Sequence, residues 1–131
     1  MKTIVAVIEK NEDSFFTYIP TIAGCVAGGN TYSEVKENLE EILQMFLVED
    51  EELKARYPNG YKLKFEVDLE SVFGLLPEIN ITQLANLGGI NPGLLRQYVS
   101  GTKKASEHQT AKVMAAINKL VLKLKSLELT A

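Results

Sequence analysis

Apolar residues recur along this chain first with the alternation of strands and later with the spacing of helices. Lys2–Glu9 reads KTIVAVIE, β-branched and apolar on both alternating sets, which predicts a central strand buried on both faces. A polar turn, Lys10–Asp13, leads to the aromatic run Ser14–Ile19 and so to an antiparallel hairpin. Pro20 stops that run, since it has no N–H for the ladder. Gly24–Gly29 is short and small, a third strand ending in a flexible glycine pair. Thr31 with Glu34 three residues on is a helix-starting pair. Val35, Leu39, Ile42, Leu43 and Phe46 then fall at helical spacing and predict a helix to about Leu53. After the Pro58-Asn59-Gly60 turn, Tyr61–Asp68 alternates. Tyr61, Leu63, Phe65 and Val67 take one face, and Lys62, Lys64, Glu66 and Asp68 take a wet one. The predicted order is β-β-β-α-β.

The rest of the chain reads as helix. Leu69–Leu76 predicts a short one, weakened by Gly74, whose Val72, Leu75 and Leu76 cover the helices that follow. Asn80 with Gln83 starts the next helix, and Gly88-Gly89 ends it. Asn91-Pro92 then places a capping residue before a proline at the first helical position. The result is helix, tight glycine turn, helix, with small Ala85 at the crossing and Leu95 and Tyr98 anchoring the second helix. Its outward face holds Asn91, Gly93, Arg96 and Gln97, with Gln83 near the start of the first helix. Arginine pairs with guanine, and asparagine or glutamine with adenine, in the major groove. Thr102, Lys103 and Lys104 follow at once as candidate phosphate contacts. These eight residues are the candidate contacts to double-stranded DNA.

Ser106 with Gln109 starts a last helix running towards Leu127. Val113, Ile117, Leu120, Leu124 and Leu127 step along it by four, three, four and three, a seam that serves either as core or as a contact between copies. Val113, Ile117, Leu120 and Leu124 are the candidate dimerisation residues, in a homodimer or higher homo-oligomer. His108 lies in the first turn, suited to phosphate or solvent.

Charge divides the chain. Residues 1–78 hold seven Lys or Arg against fifteen Asp or Glu, net −8; residues 79–131 hold seven against two, net +5. That asymmetry points to two modules with different partners. With 46% hydrophobic and 24% charged residues the composition is that of a soluble protein. No apolar run approaches the ~20 residues of a membrane helix, so no membrane partner is expected. A lone Cys25 and a lone His108 exclude an internal disulfide and a Cys/His zinc set, and the expected setting is cytoplasmic.

No catalytic constellation emerges. The acids Glu49, Asp50, Glu51 and Glu52 are consecutive, so a helix fans them apart rather than converging them on a metal. Cys25, Ser14 and Ser33 have no base nearby in sequence. The chain is read as a non-enzyme without cofactor or metal.

The segment IEKNEDSFFTYIPTIAGCVAGGNTYSEVKENLEEILQMFL resembles the N-terminal domain of HicB-type antitoxins. The features shared are the acidic turn, the aromatic strand closed by Pro20, the spacing to Gly24-Cys25, the glycine lead into Thr31 and the acidic helix. ITQLANLGGINPGLLRQYVSGTKKAS is similar to the Cro-repressor-like helix-turn-helix that some HicB proteins append. The resemblance implies an α+β chain. A partial RNase-H-like domain, residues 1–68, would mask a HicA-like mRNA-cleaving ribonuclease toxin. An all-α helix-turn-helix domain, residues 69–131, would bind operator DNA and repress the operon. Candidate toxin contacts are Glu49–Glu52 and the wet face of Lys62, Lys64 and Glu66, because acidic surface steers a basic ribonuclease. The alternative is a stand-alone dimeric regulator whose front domain binds a small molecule or another protein. A degenerate nuclease is the enzyme-class reading.

Overall fold

The computed structural model describes residues 1–129 and divides into two compact units, Met1–Val67 and Asp68–Ala131. The protein is α+β. Asp68 belongs with the second unit because its side chain caps the helix that opens it, accepting from the Glu70 amide at 3.2 Å.

In the N-terminal unit the strands are β1 (Lys2–Lys10), β2 (Phe15–Tyr18), β3 (Val26–Gly29) and β4 (Tyr61–Val67). They lie in the order β3-β2-β1-β4, with β1 antiparallel to β2 and parallel to β4. A parallel neighbour needs a long crossover, supplied by α1 (Tyr32–Glu49) and α2 (Glu51–Ala55). One sheet face carries Ile4, Ala6, Ile8, Thr17, Phe65 and Val67, all buried. It faces α1, since Lys36 of that helix lies 5.1 Å from the Phe65 ring. Val35, Leu39 and Leu43, each fully buried, are the stripe α1 presents. Thr17 is the one polar core residue among those described, and its hydroxyl donates to the Val7 carbonyl at 2.9 Å. The opposite face carries Val5, Val7, Phe16 and Tyr18, with Lys62, Lys64 and Glu66 along β4.

Two local expectations need correction. The long helix does not continue to Leu53. Asp50 leaves helical geometry (φ −111°, ψ 102°), and its carboxylate accepts from the Leu53 amide at 3.1 Å, starting α2 afresh. A short acid that bonds its own downstream amide competes with the ladder. The third strand begins only at Val26, because residues 19–25 form a turn closed by Cys25 N–H to Ile22 and Ile19 N–H to Cys25.

The C-terminal unit holds α3 (Leu69–Phe73), α4 (Ile81–Gly88), α5 (Pro92–Val99), a two-residue strand β5 (Ala105–Ser106) that the pattern does not reveal, and α6 (Glu107–Ser126). In α3 the buried positions are Leu69 and Phe73, not Leu75, which is exposed. The helix stops at Gly74, one turn early, so its last leucines never reach helical positions. Leu84 and Ala85 of α4, Leu95 and Tyr98 of α5, and Val113 and Ala116 of α6 are buried. Val113 is therefore core within its own chain and drops out of the candidate contact between copies.

Counted by unit, the charges are milder than the halves suggested. Residues 1–67 hold seven basic and twelve acidic groups, net −5, and residues 68–131 hold seven and five, net +2. Asp68, Glu70 and Glu78 fall in the C-terminal unit, which narrows the contrast.

The crossing of α4 and α6 is set by Gly88. A Cβ there would sit 2.4 Å from the Cβ of Ala116, closer than two carbons can approach. Overpacking of this kind destabilises by about 1–3 kcal/mol, against a helix-propensity gain of at most ~1 kcal/mol. Gly88→Ala should therefore lower unfolding free energy by about 1–2 kcal/mol in urea, and Ala116→Gly in the same chain should restore part of it.

Candidate nucleic-acid interface

The interface is built on the turn between α4 and α5. Gly89 closes α4 in the left-handed region (φ 66°, ψ 30°), its amide bonded to the Ala85 and Asn86 carbonyls. Ile90 N–H also returns to Ala85 at 2.9 Å, so the chain reverses within two residues. Asn91 then caps α5, accepting from the Leu94 amide at 3.0 Å, with Pro92 next. Burial of Leu95 and Tyr98 fixes the rotation of α5, and Gly93, Arg96, Gln97 and Ser100 fall on the other side at one helical face.

Arg96 and Gln97 are exposed there. The Arg96 guanidinium donates to the Thr82 hydroxyl at 2.9 Å, tying the exposed face of α5 to the first turn of α4, where Gln83 is also exposed. Thr82 was not legible as a site residue. It lies fourteen positions from Arg96, and only the crossing of the two helices brings them together. After α5 the chain stays close: Lys103 N–H bonds the Gln97 carbonyl at 3.2 Å, and the Ser100 and Thr102 hydroxyls are 2.8 Å apart. Thr102, Lys103 and Lys104 are exposed in this loop. Gly101 enters it at φ 81°, and a Cβ there would collide with the Glu70 carboxylate.

Two candidates take other work. Asn91 Oδ1 accepts the Leu94 amide as the cap of α5, so the cap holds the side chain at the helix start. Gly93 has no side chain to read with; a Cβ would lie 3.2 Å from that same oxygen. His108 is exposed in the first turn of α6.

The candidate toxin contacts fall in two places. Glu49 ends α1, Asp50 caps α2, and Glu51 and Glu52 follow, lining with Phe46 a shallow hollow of about 400 Å³. Lys62 and Lys64 are exposed and Glu66 half-buried, all on the sheet face away from α1. Among the described residues no three of His, Cys, Asp and Glu converge as a metal site, and no helix is long and apolar enough to cross a membrane.

The chain is 41% identical over 44 residues to a UPF0150 protein of Helicobacter pylori, a match covering 34% of this chain and 61% of that one. It is 32% identical over 90 residues to an uncharacterised 14.9 kDa protein of the rep-hol intergenic region of Haemophilus phage HP1, covering 57% of this chain and 68% of the phage protein. The chain belongs to the family of that phage protein. It spans about three-fifths of the length of the Helicobacter relative. No protein-family profile and no solved structure matches it.

In this family member the potential nucleophile of the N-terminal unit is closed off. Cys25 is fully buried, and burial pushes its thiol above the ordinary value. Tyr61 is raised too, by burial first and by the Glu40 charge second, against the Gln44 amide that donates to its oxygen. A group held protonated by the fold stabilises it fully below the unfolded-state value and loses that contribution as pH rises through the folded one. The N-terminal unit should therefore weaken progressively above about pH 8.5, the ordinary thiol value. Urea midpoints across that range check this, and in Cys25→Ala the decline should begin at higher pH. At neutral pH Cys25 should react with a thiol reagent only as fast as the unit opens.

Proposed function

We propose that this chain is a HicB-type antitoxin that masks a HicA-like ribonuclease toxin and represses its own operon by binding operator DNA. The observation that carries the reading is the α4–Gly89–α5 turn with Arg96 and Gln97 on one exposed face and Thr102–Lys104 beside it. That pairing of a base-reading helix face with a basic loop is what a duplex requires. The β-β-β-α-α-β order of the N-terminal unit supports the other half. So does its net charge of −5, which would draw a basic toxin. The proposed cellular setting is the cytoplasm, where operon and toxin meet.

Each half has its own test. On DNA from upstream of the reading frame, Arg96→Ala or Gln97→Ala should weaken binding by about 1–3 kcal/mol and relax specificity at one base pair. Lys103→Ala and Lys104→Ala should instead weaken binding to every sequence and flatten the salt slope by about one unit each. Equal binding by wild type and Arg96→Ala in a fluorescence titration would remove the recognition-helix assignment.

For the toxin, the adjacent small gene is expressed with and without the full chain. Growth arrest should be relieved by wild type and by Arg96→Ala alike. Single acidic changes should matter little, since exposed pairs contribute weakly. Reversing Glu49, Asp50, Glu51 and Glu52 together should slow association and make it less salt-sensitive. A harmless neighbour gene would turn the reading to a stand-alone regulator.

A further inference from the structure

We infer that Thr82 is a positioning residue for base recognition: its hydroxyl holds the Arg96 guanidinium so that the opposite guanidinium edge meets a guanine in the major groove. The inference rests on the proposed DNA reading. It adds the base that is read and a residue that decides how sharply it is read.

The chain around Arg96 is bare of acids. From Ile79 to Ser106, a span that includes α4, the turn, α5 and the loop after it, there is no Asp or Glu. Neither helix therefore offers Arg96 a carboxylate, and a long exposed side chain left to itself spreads over many rotamers. A neutral group holds it instead, with Arg96 Nη1 donating to Thr82 Oγ1 at 2.9 Å. The distinction is chemical. A carboxylate would neutralise the arginine and repel the phosphates of a duplex, whereas a hydroxyl orients the cation and leaves its charge whole.

Both ends of the contact stand on fixed backbone. Thr82 lies in the first turn of α4, two residues after the Asn80 cap, whose side chain accepts from the Gln83 amide at 3.0 Å. Its β-branched side chain has few χ1 rotamers, so Oγ1 keeps its place. Arg96 follows the buried Leu95, and its carbonyl accepts from the Ser100 amide at 2.9 Å. The bond engages Nη1, so the edge formed by Nε and Nη2 is not the one that holds Thr82. Guanine offers O6 and N7 to such an edge as a pair of acceptors. Ordering of the arginine that binding would otherwise have to impose is thus in place beforehand.

The experiment is a fluorescence titration of the full chain with a duplex from upstream of its reading frame and with single-base-pair variants of that duplex. Thr82→Val keeps the side-chain shape and removes the acceptor, and Thr82→Ser keeps the acceptor. Thr82→Val should weaken binding to the parent duplex about three- to tenfold, the worth of one such hydrogen bond. It should lose discrimination at the same guanine-bearing base pair as Arg96→Ala and at no other, with the salt slope unchanged. Thr82→Ser should bind as wild type does. In the Arg96→Ala background Thr82→Val should change nothing further, a result that a merely structural role would not give. Should Thr82→Val lower the urea midpoint, Thr82→Ala removes the same oxygen and is read at the same base pair. An equal loss from Thr82→Val in both backgrounds, or lost discrimination at a different base pair, overturns the inference. A loss in Arg96→Ala beside unchanged binding in Thr82→Val overturns it and leaves the DNA reading standing. Wild-type binding by Arg96→Ala removes the DNA reading itself and the inference with it, so the two failures are told apart.

Discussion

Two adjacent glycines, Gly88 and Gly89, govern the C-terminal unit by different physical means. Gly88 acts through the atom it lacks: without a Cβ, α4 and α6 approach until the backbone of one meets Ala116 of the other. Gly89 acts through its backbone, turning the chain at φ 66°, where side-chain-bearing residues are strained. The first fixes how closely α4 packs on α6. The second fixes where α5 points. Once Leu95 and Tyr98 are buried against that frame, Arg96 and Gln97 can only face outward, and the loop to Lys104 runs alongside them.

The N-terminal unit obeys a different constraint. A strand apolar on both faces must be central, and a parallel neighbour then obliges a helix to cross over. That covers one sheet face with α1 and leaves β4's lysines on the other. The single thiol is buried and held protonated, and the acids at residues 49–52 are divided between a helix end, a cap and a new first turn.

Much of this was legible in the residues. Capping pairs announced four helix starts, Thr31, Asn80, Asn91 and Ser106, because a side-chain oxygen three residues before an amide is a local event. What stayed hidden depended on distance or on competition between local choices. Asp50 broke a helix whose apolar pattern ran straight through it. The Arg96–Thr82 contact needed the crossing angle. The seam on α6 was read as core or contact, and its burial changes along the helix: Val113 is core, while Leu124 is 60% exposed and lines an open groove with Leu84 and Leu87. Asn91 and Gly93 were read as DNA contacts, yet the Asn91 oxygen caps α5 and Gly93 carries no side chain.

The central claim is that one exposed surface of the C-terminal unit reads duplex DNA. The most direct measurement is a ¹⁵N–¹H correlation spectrum of the full chain titrated with a duplex from upstream of its own reading frame. A scrambled duplex of equal length serves as reference. The account predicts shifts confined to the start of α4 at Thr82 and Gln83, the face of α5 at Arg96 and Gln97, and the loop Thr102–Lys104, larger for the upstream duplex. Shifts centred on the N-terminal sheet, or the same weak shifts with both duplexes, would contradict it.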